Sequence, residues 1–178
     1  CFEIEAKLKE RCDIPVFHDD QHGTAVVCSA ALINAAKVVG KDLSDMTVVF
    51  SGAGSAGIAI AKLFLQMGVG DIIMCDKNGI LDEDNPNTTF AQKEMARTTN
   101  KTGRRGNLTD ALVGADVFVG VSAPNIVTPE MIKSMADKPI VFPMANPVPE
   151  IMPEEALNAG AAVVGTGRSD FQNQINNV

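Results

Sequence analysis

The sequence predicts an α/β fold in which a doubly wound parallel sheet lies between two layers of helices. Short apolar runs rich in β-branched residues alternate with helix-forming segments, which is typical of a parallel sheet with crossover helices. The run at 46–50 leads at once into a glycine-rich turn and then into a helical segment. The next apolar run, at 71–76, ends in the acid Asp76. Together these observations indicate a Rossmann-type, three-layer αβα arrangement.

The individual elements are predicted from apolar patterning and from turn signals. Each predicted strand is a short apolar run bounded by polar or turn-forming residues. The strands are predicted at 14–17, 46–50, 71–76, 116–120, 139–142 and 161–164. Predicted helices have apolar residues at helical spacing, and several carry a start or stop signal, such as Gly40 or the Thr128–Pro129 pair. The helices are predicted at 2–11, 23–40, 58–68, 90–97, 108–113, from 129 onward, and at 153–160.

A pair of aspartates follows the first predicted strand. Pro15 favours extended backbone there, so Asp19 and Asp20 are expected at a strand-to-helix junction before a helix that Gly23 opens. Adjacent carboxylates repel each other unless a cation or a proton separates them, and oxygen ligands suit Mg²⁺ or Mn²⁺. The alternative is a solvated helix start, where aspartates interact favourably with the helix dipole. From the residues alone both interpretations stay open.

The turn after the second predicted strand matches the Gly-x-Gly-x-x-Gly fingerprint of dinucleotide binding. Its context, between a strand and a helix, is the one that gives this otherwise weak pattern meaning. Gly52 permits the tight turn, Gly54 allows the backbone to approach a pyrophosphate, and Gly57 allows close packing of helix on strand. Amide groups and the helix dipole then face the anion. The candidate cofactor contacts are Gly52, Ala53, Gly54, Ser55, Ala56 and Gly57.

Asp76 lies at the position where such domains place an acid on the ribose diol. A carboxylate there repels a 2′-phosphate, which favours NAD over NADP. Lys77 follows directly and softens that repulsion, so NADP stays possible. We therefore expect residues 41–178 to form a dinucleotide-binding domain, and residues 1–40 to be an N-terminal helix, a short strand and a linking helix that carries the paired aspartates.

Two later loops supply further candidates, because ligands of open α/β sheets lie outside the carboxyl ends of the strands. Ser122 and Asn125 follow the strand predicted at 116–120, and Asn146 follows the strand predicted at 139–142. Asparagine beside proline is also common in ordinary turns, and that alternative stays open for all three residues.

Composition narrows the class of partner. The net charge is −7, from 15 basic and 22 acidic residues, and the densest basic run is Lys101–Arg105. A nucleic-acid partner is therefore disfavoured. No run reaches about 18 consecutive apolar residues, so no membrane span is expected. The four cysteines form no C-x-x-C pair, which favours reduced thiols and a cytoplasmic protein.

Four segments resemble bacterial malic enzymes, in the order expected for that family. They are VFHDDQHGTA, SGAGSAGIAIAKL, FPMANPVPEIMPEEA and TGRSDFQNQINNV. The resemblance implies oxidative decarboxylation of L-malate to pyruvate and CO₂ with NAD or NADP and Mg²⁺ or Mn²⁺. It also implies a homo-oligomeric enzyme, a dimer or a tetramer.

The resemblance also implies roles for individual residues. Asp20 corresponds to a metal ligand, and Asp19 corresponds to a neighbour that assists the catalytic base. The glycines of the turn and Asp76 correspond to cofactor positions. Asn146 and Asn177 correspond to amides that contact malate and the nicotinamide end, with Asn176 in the place of Asn177 if the register differs by one.

This sequence departs from the family pattern in ways that bear on activity. The catalytic tyrosine and lysine of the family lie in a more N-terminal region, and tyrosine is absent from this chain. The two other acidic metal ligands would precede Cys1, and the C-terminal helices of the family would follow Val178. We therefore expect this chain to be the cofactor-binding part of the enzyme and to be inactive alone.

Three other classes of protein are compatible with parts of this sequence pattern. A malolactic enzyme has similar motifs but releases lactate and retains its cofactor. An amino-acid dehydrogenase would have a similar cofactor domain but is not expected to carry DDQHGTA. A non-catalytic dinucleotide-binding domain fits the absence of tyrosine and of a complete set of metal ligands.

Overall fold

The structure, a computed structural model, describes residues 2–177 of the chain; the thiol predicted at Cys1 lies outside this range. Its strands are β1 (Thr47–Ser51), β2 (Asp71–Asp76), β3 (Gly79–Ile80), β4 (Val117–Gly120), β5 (Ile140–Pro143) and β6 (Val163–Val164). Its α-helices are α1 (Phe2–Arg11), α2 (Asp19–Val39), α3 (Ser55–Gln66), α4 (Phe90–Thr98), α5 (Leu108–Leu112), α6 (Pro129–Lys133) and α7 (Pro153–Asn158).

The strands form one sheet in the order β3-β2-β1-β4-β5-β6. All neighbours pair in parallel except β2 and β3, which pair antiparallel. The predicted Rossmann-type fold is confirmed. β3 was not predicted, because it is only two residues long and lies in a polar segment. A tight turn at Lys77 and Asn78 brings the chain back beside β2, and Gly79, with φ +111°, follows it as the first residue of β3.

Both faces of the sheet are covered, as expected for parallel strands. Val48 and Phe50 belong to the apolar cluster that includes residues of α2, α3 and α4, whereas Val49 belongs to the cluster that includes residues of α5, α6 and α7. Adjacent residues of one strand thus pack into opposite layers. This confirms the three-layer arrangement.

The strand predicted at 14–17 is wrong. This segment joins α1 to α2 and pairs with no strand of the sheet, and Ile14 and Phe17 are 70% and 66% exposed. Pro15 lacks the backbone N–H that a strand ladder requires, so extended backbone here gains no sheet partner. The aspartates therefore follow a loop, and α2 begins at Asp19, four residues before the predicted start at Gly23.

Helix α2 ends at Gly40, as predicted, where a positive φ of 71° closes the helix. By length and composition alone, α2 is apolar enough to cross a membrane. However, it packs against α3, and Cys28, Leu32 and Val39 are buried in the core. A core helix of this kind meets the same length and composition criterion.

Two cysteines lie within the apolar clusters. Cys28 and Cys75 are free and buried. Burial raises the pKa of both thiols, that of Cys75 to about 12 with a further contribution from the nearby charge of Asp76. Both thiols are therefore protonated and unreactive at neutral pH.

Candidate functional site

The turn between β1 and α3 is shaped by two glycines that have no room for a side chain. Gly52 has φ +113°, and a Cβ there would lie 2.6 Å from the carbonyl oxygen of Val121. A Cβ on Gly57 would overlap the carbonyl oxygen of Gly52, so the first turn of α3 packs directly on the loop. Gly54 is different, because nothing lies within 4 Å of its Cβ position. Its open face borders a cleft.

This cleft has a volume of about 730 Å³, which falls in the range of small-molecule sites. It lies at the carboxyl ends of β1, β2 and β4. Its lining includes Gly52, Ala53, Gly54, Asp76, Gln92 and Ser122. The structure thus brings together predicted candidates from three separate segments. Ser55, Ala56 and Gly57 form the first turn of α3 beside it, where backbone amides have no acceptor within the helix.

Asp76 is held in a defined orientation at the end of β2. The backbone amide of Asn78 donates to Oδ1 at 2.7 Å, and the side-chain amide of Asn78 donates to Oδ2 at 3.3 Å. Each carboxylate oxygen keeps a further lone pair that can accept from a ligand hydroxyl. The carboxylate is thus oriented before any ligand binds.

Gln92 is a cleft residue that the sequence reasoning missed. Its side-chain oxygen accepts from the backbone amide and the hydroxyl of Thr89, each at 2.9 Å, which caps the start of α4. Its amide nitrogen donates to the carbonyl oxygen of Ala53 at 3.2 Å. The Thr-x-x-Gln spacing is a signal for a capping box, but it gives no sign that the same side chain supports the glycine turn.

The later loop candidates occupy different places. The Ser122 hydroxyl lies 2.8 Å from that of Ser51, and Ser122 lines the cleft. Asn125 is exposed in a left-handed conformation with φ +56°, and it is not among the residues that line the cleft. Asn146 is exposed after β5, with its side-chain nitrogen next to Gly167.

The aspartate pair lies in the first turn of α2, next to the last residues that the structure describes. Asp19 accepts a hydrogen bond from the side-chain amide of Asn177. A Cβ on Gly23 would overlap the Asp19 carboxylate, so a larger residue there would displace the Asp19 side chain from this position. Asn176 instead donates to the carbonyl oxygen of Gly167 at 2.9 Å. The structure therefore joins Asp19 to Asn177, as two members of one predicted site.

Asp20 is exposed, and the residues that the structure describes do not complete the metal site predicted around it. Among residues 2–177, no three histidine, cysteine, aspartate or glutamate side chains come together in a way that could hold a metal ion. Mg²⁺ has octahedral coordination and usually binds through one or two carboxylates together with waters and substrate oxygens, so a single carboxylate holds such an ion weakly.

A buried glutamate on α1 fixes the start of α2. Glu5 is 8% exposed, and its carboxylate lies 2.8 Å from Lys9 Nζ, 2.6 Å from His22 Nε2 and 3.2 Å from Gln21 Nε2. Hydrogen bonds from Lys9 and then His22 lower the pKa of Glu5, although burial opposes them. The sequence reasoning missed this contact. It holds the helix that carries Asp19 and Asp20 against α1.

A comparison with known protein families decides the assignment. The family described as "Malic enzyme, NAD binding domain" matches residues 21–177. The chain belongs to this family. The resemblance noted in the sequence is thereby confirmed, and the match includes Asp76 and the whole glycine turn.

Curated relatives and solved structures extend the comparison. A bifunctional malic/malolactic enzyme of Bacillus subtilis (strain 168) is 57% identical over all of this chain, which spans 44% of the relative. An NADP-dependent malic enzyme of Escherichia coli (strain K12) is 46% identical, and the chain spans 24% of it. The solved structure of an NAD-dependent malic enzyme from Thermotoga maritima is 51% identical, with a TM-score of 0.95 over 99% of this chain and 48% of that one. The chain thus spans less than half of each of these proteins.

Proposed function

We propose that this chain binds a nicotinamide dinucleotide in the cleft at the carboxyl ends of β1, β2 and β4. The observation that carries the proposal is the open face of Gly54, at the start of the 12-residue helix α3 and at the border of the cleft. Backbone amides and the helix dipole at this point attract a pyrophosphate. Asp76 then accepts hydrogen bonds from the adenosine ribose.

The same cleft favours NAD over NADP in this proposal. A 2′-phosphate would lie against the Asp76 carboxylate, and two negative groups at that distance repel each other. Lys77 is exposed beside Asp76 and offsets part of the repulsion. The relatives include both cofactor types: the Thermotoga maritima enzyme is named NAD-dependent, and the Escherichia coli enzyme is named NADP-dependent. The preference of this chain therefore depends on the local charges.

In the longer enzyme, we propose oxidative decarboxylation of L-malate to pyruvate and CO₂. A nicotinamide bound in the cleft would supply the hydride acceptor for oxidation of malate at C2, while a base takes the hydroxyl proton and the resulting β-keto acid loses CO₂. Asp19, held by Asn177, is proposed to orient the base, and Asn146 to contact malate and the nicotinamide. Asp20 is proposed to supply one ligand to a divalent metal, with the other ligands from parts of the enzyme outside residues 2–177.

A malolactic reaction is the second candidate, favoured by the bifunctional name of the Bacillus subtilis relative. The two reactions differ in their products. A malic enzyme releases pyruvate and forms one NADH for each malate, whereas a malolactic enzyme releases lactate and leaves no net NADH. Assay of both products from the full-length enzyme separates them.

The central test is calorimetric titration of this chain with NAD⁺, followed by an absorbance assay with malate, NAD⁺ and Mn²⁺. We expect saturable NAD⁺ binding at one site and no NADH formation, because the chain has no tyrosine and residues 2–177 bring no complete set of metal ligands together. Absence of NAD⁺ binding by a folded sample would refute the dinucleotide site. Malate turnover by the chain would refute the proposal that this chain binds the cofactor while other parts of the longer enzyme complete the catalytic site.

A further inference from the structure

Glu150 has the most completely buried carboxyl group near the carboxyl ends of the strands. It follows the loop after β5 and is 0% exposed. Its Oε1 accepts from the Ser122 amide at 2.9 Å and from the Ser122 hydroxyl at 3.4 Å, and its Oε2 accepts from the Ala145 amide at 3.1 Å. A buried carboxylate is costly unless hydrogen bonds compensate it, so these donors are what makes the position tolerable.

The donors of these hydrogen bonds belong to two different turns. Ser122 lies in the turn after β4, and Ala145 lies in the turn after β5, on the neighbouring strand. The backbone carries the same connection further, because the Val127 amide donates to the carbonyl oxygen of Glu150 at 3.0 Å. One side chain therefore joins the carboxyl ends of two adjacent strands.

Gly120, the last residue of β4, gives the carboxylate its space. A Cβ there would lie 2.7 Å from Oε1 and 2.5 Å from Oε2 of Glu150, which is closer than real side chains approach. The glutamate thus lies directly against the backbone of β4. Burial raises the pKa of Glu150, and the amide hydrogen bonds of Ser122 and Ala145 oppose that shift.

The two joined turns lie on the side of the sheet opposite Asp76. In the strand order, the switch point lies between β1 and β4, because the chain moves outward from β1 in both directions. A dinucleotide lies across such a point with one half on each side. If Asp76, at the end of β2, holds the adenosine ribose, the nicotinamide half extends over the turns after β4 and β5.

We propose that Glu150 is a positioning residue that holds the turns after β4 and β5 together as one platform for the nicotinamide half of the cofactor. It acts through Ser122 and the loop that begins at Ala145, without touching the cofactor itself. The proposal rests on the dinucleotide-binding function proposed above. It predicts that loss of the carboxylate affects one end of the cofactor and leaves the other end bound as before.

The test compares two ligands and two variants. NAD⁺ carries both halves of the cofactor, whereas ADP carries only the adenosine and the pyrophosphate. Glu150→Gln turns one of the two acceptors into a donor, and Glu150→Asp keeps the charge but is too short to reach both turns. Glu154→Gln is the control, because Glu154 is an exposed glutamate of the nearby helix α7.

Calorimetry should show NAD⁺ binding weakened on the order of tenfold in both Glu150 variants and unchanged in Glu154→Gln. ADP binding should stay within about twofold of the wild-type value in all of them. Equal weakening of both ligands, or no weakening of either, would overturn the proposal. If the wild-type chain bound neither ligand, the proposed function itself would fail, and that outcome is distinct.

Hydrogen exchange of the wild-type chain gives a second test that does not depend on folding of the variants. NAD⁺ should slow exchange of the Ser122 and Ala145 amides together, and ADP should not. Equal protection by ADP, or protection of only one of the two turns, would show that the platform does not serve the nicotinamide half.

Discussion

The cleft beside β1 and the start of α2 both carry predicted site residues. The cleft is shaped mainly by the backbone, whereas the start of α2 depends on contacts between side chains. In the cleft, the glycine turn and Asp76 lie within 25 residues of sequence, and backbone geometry does most of the shaping. At the start of α2, Asp19 finds its partner Asn177 at the far end of the chain, 158 residues away. Among residues 2–177, Asp20 belongs to no group of three or more histidine, cysteine, aspartate or glutamate side chains that could hold a metal ion.

This difference teaches which kind of site one segment of a protein can complete. A site made of backbone amides and a helix start is finished when one strand, one turn and one helix have folded. A site made of charged side chains needs several of them, and they can come from distant parts of a longer protein. We therefore expect the cleft to bind its ligand in this chain alone, and the aspartate end to remain incomplete.

The largest effect is expected from a pair of glycine substitutions. Gly57→Ala places a methyl group against the carbonyl oxygen of Gly52, and such overpacking costs about 1–3 kcal/mol, so Tm falls by several degrees and NAD⁺ binding is lost. Gly54→Ala has free space around its Cβ and should leave Tm nearly unchanged while it weakens NAD⁺ binding by about tenfold or more. Thermal melting and calorimetry give both readouts. Full NAD⁺ affinity in Gly54→Ala would show that no ligand approaches that face.

A smaller effect is expected at Asp76, because only one group of the cofactor is involved. Asp76→Ala should weaken NAD⁺ roughly tenfold through lost hydrogen bonds to a charged acceptor, and should leave NADP⁺ binding equal or stronger. Calorimetric titration of both cofactors measures the change, with Asp137→Ala as an exposed control aspartate. Equal affinities for both cofactors in wild type and variant would remove the role of Asp76.

The smallest effect is expected at the aspartate end. A lone carboxylate binds divalent ions weakly, so the chain should bind Mn²⁺ with a Kd on the order of 1 mM or weaker. Asp20→Asn should change this little, and no more than Asp13→Asn, which alters another exposed aspartate. Electron paramagnetic resonance of free Mn²⁺ measures the Kd of the wild-type chain and of both variants. Micromolar Mn²⁺ binding that disappears in Asp20→Asn would mean that the metal site is complete in this chain. The proposed difference between the aspartate end and the cleft would then be wrong.

Much of the fold follows from local sequence signals. Asp71–Asp76 is a strand as predicted, and Gly40 ends α2 as predicted, because a buried parallel strand and a helix stop each leave a distinct local pattern. The segment at 14–17 has the apolar pattern of a strand but has no neighbour to pair with, and pairing is not visible in local sequence. β3 is the opposite case: it pairs with β2 but lacks the apolar pattern of a strand, because its pairing depends on a turn more than on composition.

The candidate site divides in the same way. The glycine turn and Asp76 were found because their spacing is fixed by one strand-turn-helix unit. Gln92, Glu5 and Glu150 were missed, because each acts through contacts with segments 16 or more residues away. A single glutamate or glutamine carries no spacing signal, and only the folded chain shows what it touches.

The two borders of the sheet have a consequence for self-association. The sheet ends in β3 at one edge and in β6 at the other, and each of these edge strands is two residues long. Borders this short expose few unpaired amide and carbonyl groups, so they offer a poor template for adding strands from another molecule. We expect copies of this domain to meet through helix surfaces and loops, and to resist the strand-by-strand stacking that leads to fibres.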